Sequence, residues 1–188
     1  RDIASITEAL ATFFRYTISN MDNLVSLEEE LSNAENYFAI QNYRFGDRIR
    51  MQVTIEPGSE SAVDFMIPKL TLQPIIENAI IHGLEAQVGP GTVSVGIASD
   101  GGRLAIEVKD DGVGMSEEVL EGVGRRLVFP EALTNREEKP RNGGIALVNV
   151  NNRIKLLFGE QYGLRLSSIK GMGTTVEIQL PVRRGVGA

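Results

Sequence analysis

The chain has 188 residues, of which 42% are hydrophobic and 23% charged, with a formal net charge of −6 and no cysteine. These values are typical of one globular domain with room for a helical extension. They exclude disulfide bonds, thiolate metal sites and a broad basic surface for nucleic acid or anionic lipid. No apolar run is long enough to cross a bilayer. The first residue is Arg1, and a helical pattern begins directly after it, so we expect the chain to be part of a longer protein.

Two helices are predicted at the start of the chain. Hydrophobic residues recur at helical spacing from about Asp2 to Ser19. Ser26 and Glu29 have the spacing of a capping box, and a second helix is expected from about Leu27 to Phe45. Such helices usually serve packing, and we expect residues 1–45 to form a helical arm.

Residues 46–183 show a mixed pattern that predicts a separate domain. Alternating or short apolar runs predict strands at 49–55, 93–97, 104–108, 164–169 and 176–180, and helical spacing predicts helices at 71–84 and 145–158. The predicted fold class is an α/β (α+β) two-layer sandwich, in which helices cover one face of a mixed, mostly antiparallel sheet. Residues 184–188 would form a C-terminal tail.

An irregular segment interrupts this pattern between Gly112 and Gly144. It contains several further glycines and prolines, and it is helical only near Ser116 to Glu121. Long irregular segments inside compact domains are usually functional lids or disordered. We therefore expect this segment to cover a binding site or to lack a fixed structure.

Four short segments carry residues that suit a nucleotide. In the first, Asn78 and His82 share one helix face, and a carboxamide oxygen suits Mg²⁺; polar surface on an amphipathic helix is the alternative. In the second, Asp110 leaves a strand beside Gly112 and Gly114. A buried carboxylate there needs a donor such as the exocyclic amine of adenine, whereas the alternative is a glycine turn with solvated aspartates.

The other two segments are glycine turns. Gly143 and Gly144 lead into a helix whose N–H groups and dipole could bind phosphate oxygens, although a plain loop-to-helix junction has the same pattern. Gly171 and Gly173 form a turn between two strands, and Thr174 could bond adenine directly or through water. A simple hairpin is the alternative there.

In this order, the four segments resemble the N, G1, G2 and G3 boxes of the GHKL ATP-binding fold. Four segments are similar in sequence to those of LytS/YesM-like sensor histidine kinases. They are LQPIIENAIIHG, VKDDGVGM, GIALVNVNNRIKLLFG and GMGTTVEIQLP. The resemblance covers about Leu24 to Val182. It implies a Bergerat-type fold, preceded by part of a dimerisation helix, with ATP and Mg²⁺ as cofactors.

The resemblance also implies the residues of the site. Asn78 would be the Mg²⁺ ligand, and Asp110 would bind adenine. The segment between Met115 and Asn142 would be the ATP lid. Glu77 could orient or deprotonate the attacking group; the alternative is a glutamate on the solvent-exposed face of its helix. The lid cations would be Arg125, Arg126, Lys139 and Arg141. The implied cofactor-binding residues are Asn78, His82, Asp110, Gly112, Gly114, Met115, Arg141, Gly143, Gly144, Ile145, Leu147, Gly171, Gly173 and Thr174.

The function implied is that of the ATP-binding part of a two-component sensor histidine kinase. The γ-phosphate would pass to a histidine outside this chain, and then to an aspartate of a response-regulator protein. The resemblance further implies a homodimer through helices mostly upstream, a cytoplasmic position in a membrane-anchored kinase, and no nucleic-acid partner.

The only histidine, His82, lies in the N box, which argues against its being the acceptor. A phosphate or lid contact and a packing role are its alternatives.

Two positions depart from the family pattern. Ala146 stands where the family commonly has a second glycine, and Ile81 stands where many relatives carry a lysine. Both changes could weaken nucleotide binding. The alternatives are therefore a nucleotide-binding regulatory module with little transfer activity, or another GHKL class such as an anti-sigma-type serine kinase or a clamp-type ATPase.

Overall fold

A computed structural model of the protein describes residues 3–18, 24–129 and 144–185. Both helices predicted at the start of the chain are present, as α1 (Ile3–Ile18) and α2 (Leu27–Arg44). The hydroxyl of Ser26 accepts a hydrogen bond from the Glu29 N–H at 3.1 Å, which is the N-cap that the sequence predicts. The two helices pack through aromatic rings. Nowhere in the described residues is a helix both long enough and apolar enough to cross a membrane.

In the described residues, seven strands form two sheets. The strands are β1 (Leu24–Ser26), β2 (Ile49–Ile55), β3 (Met66–Pro68), β4 (Gly91–Ser99), β5 (Arg103–Asp110), β6 (Gly163–Ile169) and β7 (Gly173–Pro181). Five of them form the main sheet in the order β2-β4-β5-β7-β6, with β2 parallel to β4 and the other pairs antiparallel. This confirms the predicted mixed, mostly antiparallel sheet. The β1–β3 pair was not predicted, because three residues per strand are too few to show an alternating pattern.

Helices cover one face of the main sheet, as the fold class predicts. They are α3 (Leu72–Asn78), which continues as a π-helical segment (Ala79–Leu84), then α4 (Glu117–Val128) and α5 (Ile145–Phe158). The π-helical segment contacts β4, β5 and β7, and α5 contacts β6 and β7. The covered face buries Val93, Val95, Ile97, Leu104, Ile106, Val108 and Ile178, while the opposite face exposes residues such as Glu107 and Lys109.

The segment after β5 is more helical than the sequence predicts. Helix α4 is 12 residues long, whereas local helicity was expected only near Ser116 to Glu121. Its inner residues Val123 and Leu127 are buried against α5 and β6. Glycines at 122 and 124 hide the helical pattern, since glycine is unfavourable in helix interiors. Packing against the rest of the fold outweighs this cost.

Candidate nucleotide-binding site

A buried carboxylate lies at the end of β5. Asp110 is 2% exposed, and its Oδ1 accepts a hydrogen bond from the Gly112 N–H at 2.9 Å. Burial raises the pKa of Asp110 to about 6, although the N–H groups of Gly112 and Thr174 act in the opposite direction. A carboxylate has more acceptor positions than these donors fill. It can therefore accept a further hydrogen bond from a ligand.

The turn after β5 is in direct contact with the end of the preceding helical segment. The Val113 N–H donates to the Gly83 carbonyl at 2.9 Å. A Cβ at position 83 would lie 2.5 Å from the Asp110 Oδ1, and a Cβ at position 112 would collide with the Gly83 carbonyl. Glycine at both positions is thus required by close packing, and this packing brings the first and second predicted segments together.

The second predicted segment also touches the fourth. The Gly171 N–H donates to the Val113 carbonyl at 2.7 Å. Gly114 and Gly173 have φ angles of +61° and +101°, and a Cβ at either position would collide with a backbone carbonyl, that of Ile169 or Asp110. Both glycines are needed for their conformation and for the close approach of the two segments.

Ser168 is a site residue that the sequence analysis missed. Its hydroxyl accepts from the Met115 N–H at 2.8 Å and donates to the Gly173 carbonyl at 2.9 Å. It also lies 2.9 Å from the hydroxyl of Thr174, its partner across the β6–β7 pair. Ser168 therefore ties the turn after β5 to the β6–β7 hairpin. The signal was the hairpin register around the predicted turn at 171–173, which places Ser168 opposite Thr174.

Helix α3 and the π-helical segment carry three of the predicted site residues. Asn78 is buried, and no hydrogen-bond partner of its carboxamide is found in the described parts of the chain. Glu77 is half-buried near Tyr37, where its negative charge adds to the effect of burial in raising the pKa of that phenol. His82 is exposed, which is contrary to the packing role considered for it. π-Helical segments are frequently found at functional sites.

The N-terminus of α5 has no side-chain cap. Gly144 is its N-cap with a φ angle of +92°, no side chain of the described residues caps the first-turn N–H groups, and the first turn carries no acidic residue. Ile145 is exposed while Leu147 is buried in the core. Backbone N–H groups at such a helix start are donors of the kind that bind anions. Ala146, the departure from the family pattern, lies in this exposed first turn.

The described lid cations differ in their surroundings. The Arg126 guanidinium lies beside the start of α5, with Nη2 3.7 Å from where a Cβ at position 144 would be. Arg125 instead forms an exposed ion pair with Glu121 at 3.4 Å. Of these two cations, Arg126 is thus the one next to the N-terminus of α5. Three other predicted residues, Lys139, Arg141 and Gly143, lie outside the described residues.

Comparison with known proteins agrees with this geometry. The model of a family described as histidine kinase-, DNA gyrase B- and HSP90-like ATPases matches residues 66–184, and a histidine kinase family model matches residues 1–49. The chain belongs to this family of ATPases. Within it, the relatives are sensor histidine kinases, and the chain corresponds to their ATP-binding catalytic part, as the resemblance predicted.

Two curated relatives illustrate the match. The sensor histidine kinase YesM of Bacillus subtilis is 33% identical over 99% of this chain, and YpdA of Escherichia coli is 34% identical over 93% of it. The chain covers only 29% and 28% of these two proteins. Among solved structures, the histidine kinase domain of a blue-light activated kinase from Erythrobacter litoralis matches with a TM-score of 0.54 at 19% identity. That match covers 95% of this chain and 74% of the other, and it shows the shared fold.

Proposed function

We propose that this chain binds Mg–ATP and donates the γ-phosphate to a histidine that lies outside it. The observation that carries this proposal is the buried Asp110 carboxylate, packed directly on Gly83 at the meeting point of three predicted segments. A buried carboxylate without a counter-charge is unfavourable unless a ligand completes its hydrogen bonds. The exocyclic amine of adenine is a donor of the right kind. The Thr174 hydroxyl, on the partner strand, would bind adenine directly or through water.

The phosphates would lie between α3 and the start of α5. The uncapped N–H groups from Ile145 to Leu147, together with Gly144, supply donors and the positive end of a helix dipole. The Arg126 guanidinium is placed to add a positive charge there. We propose the same phosphate contact for Arg141 and Gly143, on the basis of the family resemblance alone.

Mg²⁺ would enter with ATP as part of the substrate. The buried Asn78 side chain fits a metal ligand, since its carboxamide oxygen is a hard, neutral donor. Mg²⁺ bound there would offset the negative charge of the phosphates. Glu77, next in sequence, would orient the attacking imidazole or accept its proton, and the exposed His82 is free to contact a phosphate or the lid.

The phosphate acceptor and the partners are proposed from the family and from the surface of α1. Leu10, Phe14 and Ile18 recur every four residues and are 38%, 51% and 81% exposed. This apolar stripe supports a homodimer through α1 and the helices that would precede it. We further propose a response-regulator protein as the next phosphate acceptor. Residues 46–183 would be the ATP-binding domain in the cytoplasm of a membrane-anchored kinase.

The experiment is a transfer assay with γ-labelled ATP and a separate segment bearing the family's acceptor histidine. We expect label on that segment, lost in acid and retained in base, because phosphohistidine is acid-labile. Acid-stable label on a serine would instead support the anti-sigma type of kinase. Nucleotide binding without any transfer would support the regulatory module. The names of the relatives favour the histidine kinase over both.

A further inference from the structure

A buried glutamate from α2 caps the helix that carries Glu77 and Asn78. The Glu30 side chain is fully buried, and its carboxylate accepts from the N–H groups of Leu70, Thr71 and Leu72 at 2.6, 2.8 and 2.9 Å. Such N–H groups at a helix start have no partner within their own helix. The residue in the N-cap position, Thr71, makes no side-chain cap bond of its own. The cap of α3 is therefore supplied by another helix, 40 or more residues earlier in the chain.

Leu70, two residues before α3, has a strained backbone and is held from two sides. Leu70 has a φ angle of +57°, a conformation that costs a branched side chain about 1 kcal/mol or more. Its N–H donates to Glu30 on α2, and its carbonyl accepts from Arg153 on α5 at 2.8 Å. Because both hydrogen bonds oppose relaxation of this backbone, loss of either one would let the start of α3 move.

Helix α1 reaches the same carboxylate. The Tyr16 hydroxyl donates a hydrogen bond to Glu30 Oε1, and the Lys69 ammonium lies 4.5 Å from the centre of the Tyr16 ring. Burial and the nearby Glu30 carboxylate raise the pKa of Tyr16, so the hydroxyl stays protonated and remains a donor. The first helix is thus connected to the start of α3 through the buried Glu30 carboxylate, and Lys69 adds a second contact with Tyr16.

The other end of the Asn78-bearing helix is also held by the α2 region. Arg48, which follows α2, donates to the carbonyls of Leu84 and Glu85 at 3.4 Å, and Arg44 pairs with the Glu85 carboxylate. A negative group at the N-terminus and positive groups at the C-terminus both favour the helix dipole. The α2 region therefore fixes the position of this helix along its axis.

We propose that Glu30 is a positioning residue of the nucleotide site, and that the Tyr16 hydroxyl links α1 to it, so that movement of α1 changes nucleotide affinity. The inference rests on the proposed nucleotide site. Among the described residues, the Glu30 carboxylate accepts hydrogen bonds from Tyr16 and from the N–H groups of residues 70–72, so its effect on Asn78 would pass through the start of α3. A shift of the helix start would carry Glu77 and Asn78 with it.

The test compares Glu30→Gln and Tyr16→Phe with Glu28→Gln, which removes an exposed carboxylate from the same helix. In Glu30→Gln one oxygen can still accept from the helix start, but the amide NH₂ takes the place of an acceptor and leaves one N–H group unpaired. Affinity for a fluorescent Mg–ATP analogue is measured well below the unfolding temperature of each variant. We expect about tenfold weaker binding for Glu30→Gln, about threefold for Tyr16→Phe and wild-type affinity for Glu28→Gln.

The double variant separates positioning from general weakening of the fold. If Tyr16 acts through Glu30, Tyr16→Phe causes no further loss of affinity in the Glu30→Gln protein. Amide hydrogen exchange of residues 70–72 in the nucleotide-free protein should become faster in Glu30→Gln and stay unchanged in Glu28→Gln. Should Glu30→Gln fail to fold, Tyr16→Phe alone still tests the link.

Two negative results have different meanings. If the wild-type chain binds no nucleotide, the proposed function fails and the positioning role fails with it. If the wild-type chain binds and both variants bind equally well, the proposed function stands and the role of Glu30 is overturned. Equal losses from Tyr16→Phe in the wild-type and Glu30→Gln proteins would overturn the link between Tyr16 and Glu30.

Discussion

The buried Asp110 carboxylate lowers the stability of the folded protein, and the proposed contact with adenine would give it a role in binding. Its carboxylate is buried among backbone N–H donors at the end of β5, where burial raises its pKa from the ordinary 3.8 to about 6. The ionised form is therefore less favourable in the folded protein than in the unfolded chain. A hydrogen-bond donor on a ligand would remove part of this penalty. The Asp110 carboxylate would therefore lower the stability of the nucleotide-free protein and contribute to nucleotide affinity.

The first prediction concerns the pH dependence of stability. Because the folded protein holds the Asp110 proton more tightly, the stability from this group is present below about pH 4 and is lost as pH rises through about 6. The loss is about 3 kcal/mol at most for a shift of this size. Chemical denaturation of the nucleotide-free protein between pH 4 and 8 should show this loss in the wild type, but not in Asp110→Asn. Glu107→Gln, on the exposed face of the same strand, should keep it.

The second prediction concerns Gly83. A methyl group there would lie 2.5 Å from the Asp110 Oδ1, so Gly83→Ala must displace the carboxylate or the helix end. We expect a loss of about 1–3 kcal/mol in the free energy of unfolding and at least about tenfold weaker ATP binding. Gly96→Ala is the control, because a methyl group there meets nothing closer than 3.9 Å. Equal behaviour of the two variants would contradict the packing described for Asp110.

At the scale of elements, helix α4 is the main departure from expectation. Its glycines at 122 and 124 have open space around them and no positive φ angle. Gly124→Ala should therefore stabilise the protein by up to about 1 kcal/mol, as alanine does in an ordinary helix interior. Thermal or denaturant unfolding would measure this. Gly101→Ala, at a φ angle of +81°, should be destabilising by contrast, and a loss of stability in Gly124→Ala would be inconsistent with a helix at this position.

The lid cations provide a second prediction at this scale. Arg126 lies beside the N-terminus of α5, whereas Arg125 is paired with Glu121 in solvent. Arg126→Ala should weaken ATP binding about tenfold through loss of a charge-assisted contact with phosphate, and Arg125→Ala should change it little. Adenosine, which has no phosphate, should bind both variants equally. The opposite ranking of the two variants would exclude this arrangement of the lid.

The elements were largely predictable, and many of the contacts between them were not. The alternation in β2, β4, β5 and β7 is a local pattern, as is the capping signal at Ser26, and these predictions are confirmed. Ser168 and Glu30 were not identified because their roles depend on which segments meet in space. Both look like ordinary polar residues in the sequence. Only the register of a hairpin, or the packing of α2 on α3, gives them partners.

At the scale of the whole molecule, α2 is part of the same core as the sheet. Its buried residues Leu27, Ala34, Tyr37 and Phe38 belong to one hydrophobic cluster with the inner residues of β4, β5 and β7. Helix α1 instead packs on α2, with the rings of Phe13 and Tyr37 5.7 Å apart, and keeps an exposed apolar stripe. Glu30 therefore connects α1, through the Tyr16 hydroxyl, to the start of the helix that carries Asn78.

Titration of the purified chain with ATP and with GTP, both with Mg²⁺, tests the central claim most directly. Guanine has a carbonyl where adenine has its exocyclic amine, so the Asp110 carboxylate would face an acceptor instead of a donor. We predict saturable ATP binding below about 1 mM, GTP binding weaker by about 100-fold or more, and loss of most of this preference in Asp110→Asn. Absence of ATP binding at millimolar nucleotide, or an unchanged preference in Asp110→Asn, would contradict the assignment of Asp110 as the adenine-binding residue.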